Sequence, residues 1–596
     1  MREFASPLTV DVPAGSLTDA LLRNAADHPD APALAHRAGN TWQDVSTAQL
    51  LAEVRAAARG LIAAGVEPGD RVALLSRTRF EWTILDYAIW YAGAVTVPIF
   101  ATAAADQVRT ILAHSGARAI IVETPAHTAL VNGLRNELPE LRHTWELDGN
   151  AMSVLGALGG DVDDDTLETA RSSVHSASPA TVIYTSGTTG SPKGCLLTHG
   201  NVSAEVATAC AELGELFEPG SSTLLVLPLA HVFARVIQVG AITERVRLGH
   251  SPTVATMVDD LRSFRPTFLL GVPRLFERLV NEASQQAAVT GHGARFDRGI
   301  TTAIETSQAE ESLPGRISAA RLRARRLVAE RTVWRPFRDL LGGACRYAVS
   351  GGAPLGERLA HFYRGVGVPI LEGYGLTETC AAITLGTPTA SRIGTVGRPL
   401  PGVTVRIADD GELLVTGPQV MPGYWADPSG TAAIIRDGWL HTGDLGEIDD
   451  EGFVRITGRK KEILVTTGGK SISPASLEDR LREHPLVSQC IVVGDGRPYL
   501  AALVTLDPQQ FAAWAAARGL SPDVSAHTHD PELVAEIQLA VDAANRTVSH
   551  AEAIRRFAIL PTEWTEEAGL VTPSLKLRRN AVLRAHRTEV AALFET

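Results

Sequence analysis

The sequence predicts an α/β fold in two unequal parts: a large N-terminal domain, residues 1–460, of parallel-rich sheets covered by helices, and a small α+β C-terminal domain, residues 461–596. Three observations predict it. Up to about residue 457, helical periodicity such as "AQLLAEVRAAARGLIAAG" alternates with short β-rich runs such as "RVALLS", "RAIIVE" and "ATVIYT". That alternation builds parallel sheets with helices on their faces. After "DGWLHTGDLGEIDDEGFVRITGR" the texture changes to "EILVTT", "QCIVVG" and "YLAALVTLD" between helical segments, which places the boundary on Lys461. Finally, 596 residues with 45% hydrophobic and 20% charged content allow roughly two to four domains with large cores.

Taken in chain order, the N-terminus "MREFASPLTVDVPAG" lacks the apolar core of a signal peptide. The uncharged run from Tyr87 to Ala105 is nearly long enough to span a bilayer, but Gly93, Pro98 and the change to "AVTVPIF" predict a buried helix, a turn and a strand. The acidic run Asp161–Asp165 reads as a surface loop. The Ala- and Arg-rich region from about 280 to 340 reads as a solvated helical insertion, in preference to a membrane-surface or cofactor-docking patch. No repeat of 20 to 50 residues is visible. A net charge of -12 weighs against a general nucleic-acid binder. The cysteines at 195, 210, 345, 380 and 490 form no CxxC pair and no metal-ligand spacing, and read as reduced thiols of a cytoplasmic protein.

Lysine is scarce. Only Lys193, Lys460, Lys461, Lys470 and Lys576 occur among 55 basic residues. Lysine is a compact point charge on a flexible stem where arginine is a wide fork, so lysines retained against such a bias mark candidate sites near phosphate. Lys193 stands in "YTSGTTGSPKG", Tyr184 to Gly194, whose small residues let backbone amides approach phosphate oxygens while hydroxyls add donors. Pro192 and Gly194 stand where a Walker A loop needs glycine and Ser or Thr, so this is a phosphate loop of another kind. It follows an apolar strand and precedes the helical run "NVSAEVATAC".

With "LPLAHVFAR" (227–235), "SGGAPLGERL" (350–359), "EGYGLTET" (372–379), "HTGDLG" (441–446), "GRKKEILVTTGGK" (458–470) and "TPSLKLRR" (572–579), the chain resembles the adenylate-forming superfamily of acyl-CoA synthetases, peptide-synthetase adenylation domains and firefly-type luciferases. The resemblance covers nearly the whole chain, with the motifs in the family's order. It implies that Thr185, Ser186, Gly187, Thr188, Thr189, Gly190 and Lys193 surround ATP phosphates. Tyr374 stacks on adenine beside Gly375, and Gly351 and Gly352 let backbone lie along adenine and the acyl carboxylate. Thr377 meets the α-phosphate, Glu378 and Thr185 hold Mg2+, and His231 stands by the substrate carboxylate. Asp444 and Arg459 hold the ribose hydroxyls, and Lys576 enters the site for adenylation.

In that family the small domain is mobile. It turns about the Lys461 position, so that the loop with Gly468, Gly469 and Lys470 then faces CoA. Lys460 stands at a variable position and acquires no role, while Arg578 and Arg579 read as ordinary basic residues. "GVPRLFERL" (271–279) and the extra helices look most like bacterial long-chain fatty acid-CoA ligases, although Ser471 replaces a frequent asparagine. The implied reaction uses ATP, Mg2+ and CoA: a fatty acid becomes acyl-AMP with loss of pyrophosphate, then acyl-CoA. The alternatives are an acyl-AMP ligase or adenylation enzyme loading a carrier protein, and a catalytically silent binding protein. Expected partners are these small molecules rather than nucleic acid, in a cytoplasmic monomer or homodimer with allowance for peripheral contact at the inner membrane face.

Overall fold

The computed structural model describes residues 2–185, 192–253, 256–312, 320–467, 470–546, 548–550, 552–572 and 576–595, the side chains of 312 and 320–324 excepted. Two large sheets, of nine and seven strands, form the body of the chain. Their inner pairs are parallel, as Arg71–Leu75 is with both Val95–Ile99 and Ala119–Val122, and Phe268–Gly271 with Tyr347–Ser350. Antiparallel pairs lie only at the sheet margins. Strands such as "VALL" and "AIIV" are buried throughout, because helices cover both faces and leave no side for polar alternation.

Tyr87–Ala105 is resolved as the sequence predicts. Helix Phe80–Tyr91 is buried from Trp82 onward, Gly93 turns the chain at φ 75°, and Val95–Ile99 enters the seven-stranded sheet. Gly93 is required there, since positive φ disfavours any Cβ. Among the described residues no helix is long and apolar enough to cross a membrane.

A third sheet, of six strands, is antiparallel and was not foreseen. Its strand Thr404–Ile407 pairs with Glu412–Thr416 across "ADDG", where Gly411 has φ 83°, and with the first strand of the chain, Arg2–Ala5. An Asp-Gly turn between β-branched runs is a local hairpin signal, but the return of the N-terminus to it is non-local. This sheet carries Trp439–Ile448 and Val454–Arg459, the two strands that deliver Asp444 and Arg459.

After Glu462, strands Val487–Val493, Leu500–Leu506 and Ile554–Leu560 form a sheet with an apolar cluster on each face. Every member of those two clusters falls between Leu464 and Phe594, whereas the three other clusters draw only on residues from Phe4 to Ile456.

Two local expectations need correction. The region from about 280 to 340 is helical but is no solvated insertion: Phe296, Ala303, Val333, Trp334 and Phe337 join the second core, and the Trp334 indole donates to the Gly299 carbonyl at 3.1 Å. Helix Gly293–Ser312 lies so close to Glu357–Gly365 that a Cβ on Gly365 would stand 2.1 Å from the Ala303 carbonyl oxygen. The acidic run is no simple loop either. Asp163 caps helix Asp164–Ser172 by accepting from Thr166 N at 2.8 Å, and Asp164 pairs with Arg55 and Arg59.

Candidate active site

A cavity of about 1320 Å³ opens where the two large sheets, the antiparallel sheet and the C-terminal part of the chain meet. Thr185, Lys193, His231, Gly351, Gly352, Tyr374, Gly375, Thr377, Glu378, Arg459, Lys461 and Lys576 all line it. Asp444 is buried immediately behind them. Residues 372 to 578 thus meet residues from 185 to 231 in one place, as the motifs imply. Ser186, Gly187, Thr188, Thr189 and Gly190 lie outside the described residues, as do Gly468 and Gly469.

The phosphate loop is flanked by two paired strands rather than by a strand and a helix. Pro179–Thr185 pairs antiparallel with Lys193–Thr198, Thr185 opposite Lys193, and helix His199–Glu212 starts only after that second strand. The short strand "KGCLLT" was not legible as one. Lys193 Nζ sits 4.7 Å from the centre of the Tyr424 ring and 3.9 Å from the Asp427 carboxylate.

On the facing wall, strand Ile370–Leu376 ends in the short turn Thr377–Thr379. Gly375 is fixed by packing, since a Cβ there would lie 1.5 Å from the Ala381 carbonyl oxygen. Tyr424 donates its hydroxyl proton to Glu378 Oε1 at 2.8 Å. Glu378 and Thr185 both line the cavity and both lie near the buried Cys195 thiol. Burial, with Glu378 nearby, holds that thiol well above its ordinary pKa, and all five cysteines are free and buried.

Asp444 and Arg459 are direct cross-strand partners. Arg459 Nε donates to Asp444 Oδ1 at 2.7 Å, and the Tyr374 hydroxyl donates to Asp444 Oδ2 at 2.6 Å. Burial and the Asp444 charge raise the Tyr374 phenol well above its usual range, so it stays a donor.

His231 caps helix Val232–Thr243, its Nδ1 accepting from Phe233 N at 3.3 Å, which leaves the ring proton on Nε2. Burial first and the Lys576 charge second lower its pKa to about 3, so the ring is neutral. Arg235, one turn on, is paired with Asp86 at 2.5 Å deep in the core, their side chains 5% and 0% exposed. Asp86 also accepts from Thr96 at 2.7 Å and Gln238 at 2.9 Å. This network anchors the helix that presents His231. Nothing local in "LPLAHVFAR" signals it, because Asp86 is 149 positions away.

Strand Tyr347–Ser350 delivers Gly351 and Gly352. Gly352 has φ 83°, and a Cβ on it would meet Lys576 Cε at 3.5 Å and Val272 at 3.7 Å. At Gly351 the nearest atom would be the Gly373 carbonyl oxygen at 3.4 Å, an ordinary contact, so its smallness is not required by the protein alone. The Lys576 side chain is open to the cavity yet ringed by protein. Dehydration first and Arg459 second lower its pKa, against the opposing pull of Asp444 and Glu378.

Around Lys576 the reading of Arg579 as ordinary is overturned. Arg579 is an ion-pair partner of Glu478 and donates to the Val492 carbonyl at 2.8 Å, tying the tip to its own domain. Arg578 lines the cavity with Lys576. Lys460 gains a structural place: its Nζ is 2.5 Å from Asp410 and 3.0 Å from Glu412, so the residue before Lys461 is held to the antiparallel sheet. Lys470 sits apart, 2.8 Å from Ser549 Oγ and 3.1 Å from Glu552.

Both parts of the chain match families of known proteins. The AMP-binding enzyme family matches residues 21–425, and the AMP-binding enzyme C-terminal domain matches 461–596. The long-chain-fatty-acid-CoA ligase FadD15 of Mycobacterium bovis is 45% identical over 601 residues, covering 100% of both chains. Among solved structures, the anthranilate CoA ligase AuaEII in complex with anthranoyl-AMP superposes with a TM-score of 0.72 at 20% identity, over 97% of this chain and 98% of that one. The O-succinylbenzoate coenzyme A synthetase of Bacillus subtilis, in complex with ATP and magnesium ion, gives 0.67 at 22% identity, over 94% and 98%. With both family models in register and a full-length relative this similar, the chain belongs to the AMP-binding enzyme family.

Proposed function

We propose that the protein is an AMP-forming long-chain fatty acid-CoA ligase, activating a fatty acid with ATP and passing it to CoA. The observation that carries this reading is the convergence of Lys576, Gly352, the Asp444–Arg459 pair and Glu378 in the cavity that the phosphate hairpin also reaches. The full-length identity to a long-chain-fatty-acid-CoA ligase supports the substrate class.

A carboxylate is a poor acyl donor, so its oxygen first attacks the α-phosphorus of ATP and pyrophosphate leaves. Two anionic reactants meet there, and catalysis is chiefly positioning and electrostatic stabilisation. The Lys576 ammonium supplies charge at the reacting oxygens. Tyr374 and the Asp444–Arg459 pair orient the nucleoside, and Thr377 stands in the wall by the α-phosphate. Neutral His231 offers an Nε2–H to the acyl carboxylate without adding charge. The Glu378 carboxylate and Thr185 hydroxyl are hard oxygen donors that fit Mg2+, which screens ATP phosphate charge when bound.

For the second half-reaction the CoA thiol attacks the acyl carbonyl and AMP leaves. Residues 461–596 are proposed to turn about Lys461, withdrawing Lys576 and bringing the loop of Gly468, Gly469 and Lys470 to the cavity. The contacts across the boundary are polar and suited to parting: Arg480 to Glu357 at 3.6 Å, Asn281 to Asp507 at 3.4 Å and Gln285 to Gln509 at 2.5 Å. An exposed pair of this kind contributes at most about 1 kcal/mol. Arg480→Ala is therefore expected to slow acyl-AMP formation by about two- to five-fold, and to leave thioester formation from supplied acyl-AMP unchanged in stopped-flow assays.

The function is tested by incubating the purified chain with ATP, Mg2+, palmitate and CoA and following products by mass spectrometry. AMP and palmitoyl-CoA are expected. Accumulation of acyl-AMP without thioester across a panel of chain lengths would favour the carrier-protein reading instead.

A further inference from the structure

Tyr424 is assigned no role by the motifs, yet it touches both charge carriers of the phosphate site. Its hydroxyl donates to Glu378 Oε1 at 2.8 Å, and its ring lies 4.7 Å beneath Lys193 Nζ.

The backbone around it is fixed on three sides. Tyr424 pairs with Cys195 on the hairpin strand, and Trp425 N donates to the Gly194 carbonyl at 2.7 Å. Tyr424 N donates to Thr431 Oγ1 at 2.9 Å, and Met421 N donates to the Glu378 carbonyl at 2.9 Å. The segment Met421–Trp425 thus splices the Glu378 turn to the strand that starts at Lys193. A side chain held this firmly transmits position rather than merely filling space.

We infer that Tyr424 is a positioning residue for adenylation. By occupying Oε1 it turns the other Glu378 oxygen to Mg2+, and by its ring face it steers Lys193 toward incoming phosphate. The inference rests on the reading of Glu378 as the metal ligand. A carboxylate with one oxygen already hydrogen-bonded presents a single oriented donor, which suits a small cation with strict geometry. A cation over an aromatic face is held by the ring without losing its charge, and the one carboxylate beside Lys193 among the described residues, Asp427, stands 3.9 Å off, too far for a close ion pair.

The two halves separate experimentally by calorimetric titration of ATP at fixed Mg2+ concentrations and in EDTA. Tyr424→Phe keeps the ring and loses the hydroxyl: the Mg2+ concentration giving half-maximal tightening of ATP is expected to rise about tenfold, with binding in EDTA unchanged. Tyr424→Leu loses both, and binding in EDTA is expected to weaken about threefold as well. Wild-type Mg2+ dependence in Tyr424→Phe would overturn the inference, provided Glu378→Gln shifts it. If Glu378→Gln also leaves the Mg2+ dependence unchanged, the metal assignment itself fails. Equal losses of ATP binding in both tyrosine variants, with and without Mg2+, would show a structural role only and also overturn it.

Discussion

Lys576→Ala is expected to slow acyl-AMP formation by about 10²–10³-fold, the usual cost of removing one preorganised electrostatic contact from a phosphoryl or acyl transfer site. Thioester formation from supplied palmitoyl-AMP and CoA should survive, because Lys576 leaves the site for that step. Separate single-turnover assays of the two steps check this, and equal loss in both would contradict it. Lys576→Arg should fail nearly as badly. Arginine is a wide planar fork where lysine is a compact point charge, so it cannot put its charge where the Lys576 stem passes over Gly352. The lowered pKa of Lys576 adds a pH signature. The ammonium is the active form, so raising pH removes its charge and the adenylation rate falls at a pH below the ordinary 10.5 of lysine. That alkaline limb should vanish in Lys576→Ala.

Asp86→Ala is expected to destabilise the large domain by about 3–5 kcal/mol, since it strands a buried arginine charge. Arg235 and Asp86 are nearly without solvent access, and Thr96 and Gln238 lose their acceptor in the same change. Urea denaturation followed by tryptophan fluorescence reads the loss. Arg235 lies within the ring distance of Trp82 and Trp90, 5.5 and 5.3 Å from their centres, so the probes report on the site itself. The double change Asp86→Leu with Arg235→Met should cost less than the sum of the single changes, because no unpaired charge remains. Strict additivity would show that the pair is not coupled.

What the sequence made legible follows the range of the signal. Local periodicity marked the parallel sheets and the helix, turn and strand of Tyr87–Ala105, and lysine scarcity pointed to Lys193 and Lys576. The antiparallel sheet escaped because its first strand, Arg2–Ala5, pairs with residues some 400 positions away, and no local pattern encodes that partner. The hairpin strand Lys193–Thr198 escaped because six residues between a Gly-rich loop and a helix carry little periodicity. Arg235, Arg579 and Tyr424 were passed over for one shared reason. Each depends on a neighbour distant in sequence, Asp86, Glu478 and Glu378 respectively, and single-residue chemistry cannot reveal a partner. Lys460 is the converse: unexplained as a motif residue, it is accounted for by Asp410 and Glu412 across the sheet.

The central claim is that one cavity serves two half-reactions because the small domain takes two positions over it. Pulsed electron-electron resonance tests this directly, using spin labels on cysteines introduced at Leu158 and Leu539, which are 47% and 60% exposed on the large and small parts of the chain. The five native cysteines are buried, so labelling is selective for the introduced pair. With ATP, Mg2+ and a non-reactive palmitate analogue, one distance should dominate, that of the arrangement in which Lys576 faces Gly352. Adding CoA with a stable palmitoyl-AMP analogue should shift the population to a second, distinct distance. A single unchanged distribution under both conditions would contradict the account.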